Sequence, residues 1–103
     1  MMLHFRPEYE KDVLTGRKRI TIRYGRKYDV RPGNIVYLAV RGKPIARAKI
    51  THVYVKKLRE LSEHEIKMEG FKSLHALIKH LRRIYPDIGP DSYVTVLRWK
   101  LLR

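Results

Sequence analysis

The stretch Gly16-Arg17-Lys18-Arg19-Ile20-Thr21-Ile22-Arg23 constrains the fold more than any other. It opens on a glycine suited to the left-handed conformation that ends helices, and its second half alternates apolar and polar residues. In an extended strand successive side chains point to opposite faces. Ile20 and Ile22 therefore turn to a core, while Thr21 and Arg23 face a groove or solvent. Residues 7–15 read as a short helix leading into the glycine. Pro7 suits its first turn, Glu8, Glu10 and Asp12 favour its positive end, and Tyr9, Val13 and Leu14 are expected to face inward. Lys18 lies three residues before Thr21, which on a continuous strand puts the two on opposite faces. They converge only if the chain is still turning at Lys18 and the strand starts at about Arg19. Taken alone, the octapeptide fits a turn and a basic edge strand, where exposed cations discourage unwanted pairing.

The rest of the chain reads as one domain over residues 1–103, of the α+β class. Residues 25–29 form a basic loop, and Arg31-Pro32-Gly33-Asn34 has proline and glycine where a type II turn wants them. Residues 35–40 are almost wholly apolar and predict a strand buried on both faces. Residues 41–44 make a hairpin turn, and residues 45–55 return as a long strand. There Ala46, Ala48 and Ile50 form a dry face against Arg47, Lys49 and Thr51. A bulge is expected near His52, after which Val53 and Val55 take over the apolar set. Ser62 and Glu65 form a capping box opening a helix that ends before Gly70. Ser73 caps another helix, with Leu74, Leu77, Ile78, Leu81 and Tyr85 on one face, stopped by Pro86. Residues 93–102 are the closing strand. The expected order is helix, three strands, two helices, strand. Mostly antiparallel strands in so short a chain avoid open edges best by curling into a small barrel.

Charge narrows the function. Lys and Arg total 24 against 10 acids, a net charge of +14. Such a field attracts polyanions, and nucleic acid is the commonest partner of a small basic domain. The chain has no cysteine, which excludes disulfides, thiolate zinc sites and cysteine nucleophiles. No apolar run approaches the roughly 18 residues of a membrane span. The N-terminal residues lack the apolar centre of a signal peptide, so a cytoplasmic protein is expected, with no membrane partner. His75 and His80 are five apart rather than four, and the glutamates beside His64 are explained by capping, so no catalytic metal is expected. Glycine-rich phosphate loops are absent, and no cofactor is expected.

Two site chemistries remain. The cations Arg17, Lys18, Arg19, Arg23, Arg26 and Lys27 crowd residues 17–27, with Tyr24 and Tyr28 interleaved and Arg47 and Lys49 able to join. Cations hold phosphates and exposed aromatics stack on unpaired bases. Alternatively, Thr21 is a nucleophile if a base removes its proton. Lys18 is the candidate base, and the neighbouring arginines favour the neutral amine such a role needs. Composition and spacing do not choose a carboxylate to accompany them.

Laid out in order, the chain resembles the ASCH domain, the coactivator-homology relatives of the PUA domain. Residues 14–23, Leu-Thr-Gly-Arg-Lys-Arg-Ile-Thr-Ile-Arg, fit the family signature G-x-K-x-x-T-x-R. Val30-Arg31-Pro32-Gly33-Asn34-Ile35-Val36 fits its Pro-Gly turn before a strand. Residues 58–65 through Glu69-Gly70, then Ile84-Tyr85-Pro86 and Tyr93-Val94-Thr95-Val96, fit its later segments. The resemblance is colinear over essentially the full length. It implies a small PUA-like β-barrel with flanking helices and a cleft that engages RNA or a modified nucleoside. The chain also resembles one compact branch, amidohydrolases that remove the acetyl group from N4-acetylcytidine. That likeness implies Thr21 as nucleophile, Lys18 as its activator and Glu69 as orienter or proton carrier. Arg19 stands where the family commonly has threonine, and Gly70-Phe71 departs from the branch's usual polar sequence.

Overall fold

A strand absent from the expected order begins the chain. β1 (Met2–Phe5) pairs in parallel with β3 (Ile35–Val40), Met2 opposite Tyr37 and Phe5 opposite Val40. The expected order began with a helix, so β1 is a correction. Four residues carry little local signal, and a parallel partner is reached only through a long crossover, so tertiary pairing defines this strand.

The computed structural model describes residues 1–26 and 28–103. The expected mixed α+β class is present. The remaining elements are α1 (Glu10–Thr15), β2 (Ile20–Tyr24), β4 (Lys43–Lys57), α2 (Glu63–Met68), α3 (Leu74–Leu81) and β5 (Tyr93–Leu102), with 3-10 turns at Pro7–Tyr9 and Leu58–Glu60. The strands form one sheet in the order β1-β3-β4-β5-β2. The chain divides into two compact units, one of residues 1–19, 29–53 and 97–103, the other of residues 20–28 and 54–96.

In the first unit, Gly16 ends α1 in the left-handed region at φ 78°, its N–H donating to Val13 O at 3.3 Å. The Lys18 N–H reaches back to Asp12 O at 2.9 Å, so the chain is still turning at Lys18. Val13 is fully buried, but Leu14 is 46% exposed, because so short a helix turns only a narrow stripe inward. The turn at residues 31–34 is made as expected. Gly33 has φ 96°, and the Asn34 N–H donates to Arg31 O at 3.0 Å. β3 departs from the sequence reading. Leu38, Ala39 and Val40 are buried, but Ile35 and Tyr37 are each 47% exposed. Its first half therefore alternates. The hairpin turn is tighter than residues 41–44: Arg41 and Gly42 both have positive φ, as a two-residue mirror-image turn requires, and β4 begins at Lys43. The β3–β4 register jumps between Leu38 opposite Ala46 and Ala39 opposite Pro44, leaving Ile45 as the extra residue of a bulge. Phe5 packs on Trp99 with ring centroids 5.7 Å apart.

The second unit has its own core. Ile20 and Ile22 of β2, Leu58 and Leu61, Ile66 of α2, Leu77, Ile78 and Leu81 of α3, Ile88, and Val94 and Val96 of β5 form one buried cluster. Tyr54 packs against it while Val55 is 43% exposed. The expected transfer of the apolar set is therefore only partial: Val53 is half-buried, but Val55 is exposed while Tyr54 packs on the core, and Thr51 and His52 before them are both exposed. The capping box at α2 is complete, with Ser62 Oγ accepting from the Glu65 N–H at 3.1 Å and Glu65 Oε1 accepting from the Ser62 N–H at 2.8 Å. Ser73 caps α3 by accepting from the Ala76 N–H at 3.1 Å. α3 ends at Leu81, sooner than its apolar face, yet Tyr85 still packs on the core through the following turns.

Candidate functional site

Lys18 is brought in by the αL turn at Gly16 and is only 7% exposed. Its ammonium lies 4.9 Å from the centroid of the Tyr9 ring and 5.8 Å from that of Phe5. Aromatic faces attract a cation, and two of them together offset part of the cost of burying it. Tyr9 reaches this position from the 3-10 turn and Phe5 from β1. Sequence reasoning missed both as neighbours of Lys18, because β1 itself was not foreseen. The flanking residues turn outward. Arg17 is exposed and 3.9 Å from Asp12, and Arg19 is exposed while its carbonyl accepts from the Trp99 N–H at 3.1 Å.

Thr21 stands on β2 in the second unit and is 5% exposed, although alternation had turned it toward a groove or solvent. Both faces of β2 are thus buried at its start. Two residues on, Arg23 shares Thr21's face, and its Nε donates to Thr21 Oγ1 at 3.0 Å. A guanidinium has donors only, so this bond fills a lone pair of the hydroxyl and leaves its proton to be given elsewhere. The cation beside the oxygen also favours negative charge on it. The i, i+2 spacing was the signal for this pair.

Glu69 caps the C-terminus of α2, its N–H donating to Glu65 O at 3.1 Å. It is half-buried, with one carboxylate oxygen fully enclosed. The α2 dipole disfavours a carboxylate at this end.

Glu65, one turn earlier, is a buried carboxylate of another kind. Oε1 accepts from Lys56 Nζ at 2.8 Å as well as from the Ser62 N–H, and Oε2 accepts from the Tyr54 hydroxyl. Burial alone pushes its carboxyl upward. The bonds from Lys56, Ser62 and Tyr54 together outweigh burial and hold it down at about 2. The sequence showed the cap but not Tyr54 and Lys56, which come from β4.

The other predicted cations are distributed. Arg26 is exposed, its guanidinium carbon 3.6 Å from the centroid of the Tyr93 ring. Arg47 and Lys49 are exposed on β4 in the first unit. Lys27 lies outside the described residues. Tyr24 is 37% exposed and meets Tyr85 edge-on at 5.3 Å, while the Tyr28 hydroxyl donates to Tyr24 O at 3.3 Å. Among the described residues no group of three or more His, Asp or Glu side chains is placed to hold a metal ion. Nor is any helix among them long and apolar enough to cross a membrane.

Comparison with known proteins bears on these residues. The chain is 33% identical over 86 residues to the N(4)-acetylcytidine amidohydrolase of Vibrio vulnificus, covering 82% of each chain. Its fold is similar to the crystal structure of an ASCH domain from Lactobacillus crispatus, with a TM-score of 0.70, 21% identity and coverage of 88% and 68% of the two chains. It is also similar to a solution structure of a protein from Pyrococcus furiosus, with a TM-score of 0.65, 19% identity and coverage of 100% and 99%. At these identities the solved structures speak for the barrel-like fold alone. The ASCH domain family model matches residues 2–103. With the signature G-x-K-x-x-T-x-R at residues 16–23 and a match of this extent, the chain belongs to the ASCH domain family.

Proposed function

We propose that this protein binds N4-acetylcytidine and hydrolyses its acetyl amide, with Thr21 as nucleophile, Lys18 as its activator and Glu69 as orienter or proton carrier. The reading is carried by one observation: the lysine and the threonine of the signature are both buried. Long cations and hydroxyls are rarely enclosed without a duty. Four buried polar or charged side chains stand out among the described residues: Lys18, Thr21, Glu65 and Thr95. Glu65 ties α2 to β4, and Thr95 Oγ1 donates to Gly25 O at 2.6 Å. Those two have structural duties, and the other two are signature residues. The similarity to an enzyme of this name supports the same reading.

In this scheme Lys18 acts in its neutral form: its amine takes the proton of Thr21 Oγ1, which attacks the acetyl carbonyl carbon, forming a C–O bond. Arg23, already donating to that oxygen, disperses the negative charge. Collapse of the tetrahedral adduct breaks the bond from the carbonyl carbon to N4. N4 takes the proton that Lys18 received and departs as the amino group of cytidine. Water then cleaves the acetyl–threonine ester, acetate leaves, and Oγ1 regains its proton. Side chains and water suffice for every step.

The test is incubation with N4-acetylcytidine and mass analysis for cytidine, comparing the parent with Lys18→Ala and Thr21→Ala. Product from the parent and its loss in both variants is expected. An inert parent would remove the proposal. A second reading, RNA binding through cations in and just after the signature, is favoured by the exposure of Arg17, Arg19 and Arg26. Binding of that kind weakens with salt, with a log–log slope of about −0.7 for each phosphate contact to a single strand.

A further inference from the structure

The outer face of the β1–β3–β4 sheet has a composition that neither the signature nor its chemistry requires. Opposed residues in a ladder share a face. Tyr37 is opposite Met2 on one side and Arg47 on the other, and Ile35 is opposite Lys49. The next residues, Leu3, Val36 and Ala48, are buried, so the sheet's other surface is the dry one. The outer face thus holds Met2, Ile35 and Tyr37, at 38%, 47% and 47% exposure, beside two exposed cations.

Structural explanations for this face fall short. Cations on a strand often guard an open edge against unwanted pairing. β4, however, is the middle strand of five, with β3 and β5 on either side. Arg47 and Lys49 guard no edge. Cross-strand carboxylates would neutralise them, yet β1, β3 and β4 contain no aspartate or glutamate at all. An exposed tyrosine and isoleucine on a regular sheet likewise do nothing for the core beneath.

We infer that this face, Tyr37 flanked by Arg47 and Lys49 with Ile35 and Met2 beside them, is a docking platform for single-stranded RNA. The chemistry is complementary at each position. Arg47 and Lys49 are two residues apart on one strand, about 7 Å along it, and offer a row of donors to successive phosphates. Tyr37, half-exposed and directly opposite Arg47, offers an aromatic ring for an unpaired base to stack on, and Ile35 and Met2 add apolar surface beside it. Every group named belongs to the first unit, and none has a role in the proposed deacetylation.

The test uses the full chain and a fluorescently labelled oligouridylate of about a dozen nucleotides, titrated over a salt series. The parent is expected to bind with a salt-dependent constant. Arg47→Glu combined with Lys49→Glu should abolish most of that affinity and make the slope shallower by about 1.4, the share of two phosphate contacts. Tyr37→Ala should weaken binding about tenfold, whereas Tyr37→Phe, which keeps the ring, should match the parent. All these side chains are exposed, and thermal melting of each variant verifies that it is folded. Turnover of free N4-acetylcytidine on the same preparations reads the two activities separately. Affinity unchanged in the charge-reversed variant, or in Tyr37→Ala, would overturn the assignment. So would displacement of the RNA by polyglutamate of matched charge at equal concentration, which would give the face to an acidic protein partner.

Discussion

Glu65 and Thr21 are both buried polar residues of the second unit, and their surroundings differ in a way that separates structure from chemistry. Glu65 accepts from a backbone amide, an ammonium and a phenol. Its charge is fully engaged in tying the start of α2 to β4. Thr21 accepts from the Arg23 guanidinium, a partner that cannot take its proton. One group is saturated and the other keeps a proton to transfer. Burial marks both equally, so the nature of the bonds, not the burial, distinguishes a strut from a candidate nucleophile.

Substitution breaks the comparison most sharply at Thr21. Thr21→Ala is expected to lower deacetylation of N4-acetylcytidine on the order of 10³-fold, with a melting temperature close to the parent's. A variant that is inactive because it is unfolded would place Thr21 with Glu65. Glu65→Gln should do the reverse, costing roughly 3 kcal/mol of stability by denaturant titration, because the Lys56 ammonium and the Ser62 amide lose a charged acceptor.

The pH dependence sharpens the same contrast. The Glu65 carboxyl is held at about 2, against an ordinary value of 4.5. Between these values the unfolded chain binds the proton that the folded chain refuses. Stability from this group is therefore complete above about pH 5 and is lost as pH falls toward 2, about 3 kcal/mol in all. Denaturant midpoints across pH 2–6 should show this loss in the parent and a flatter profile in Glu65→Gln.

Smaller effects test the turn that presents Lys18. Gly16→Ala puts a side chain at φ 78°, 3.5 Å from Arg103 and 3.6 Å from Leu101. It should cost about 1 kcal/mol by melting. Arg17→Ala removes an exposed ion pair of 3.9 Å and should change stability by less than about 0.5 kcal/mol.

Much of the fold was legible because its signals are local. Gly16, the Pro32-Gly33 turn, the Ser62–Glu65 box and the Ser73 cap each act within one or two turns of chain, and each lies where the residues implied. The alternation of Ile20 to Arg23 likewise set which side chains share a face, and so paired Arg23 with Thr21. β1 was not legible, since four residues become a strand only when β3 pairs with them. The exposure of Ile35 and Tyr37 was hidden for a related reason: an apolar run does not say which of its faces is covered.

The sequence by itself determined where α1 ends, where α2 and α3 begin and where the Pro32-Gly33 turn forms, because these follow from backbone and capping preferences over a few residues. Only the tertiary structure decided that Lys18 lies against Tyr9 and Phe5, and that Glu65 is bonded from β4. It alone aligned Tyr37 with Arg47 on a face without carboxylates. Those outcomes depend on strand order and register, and pairing between distant segments is set by the packing of the whole chain rather than by any stretch of it.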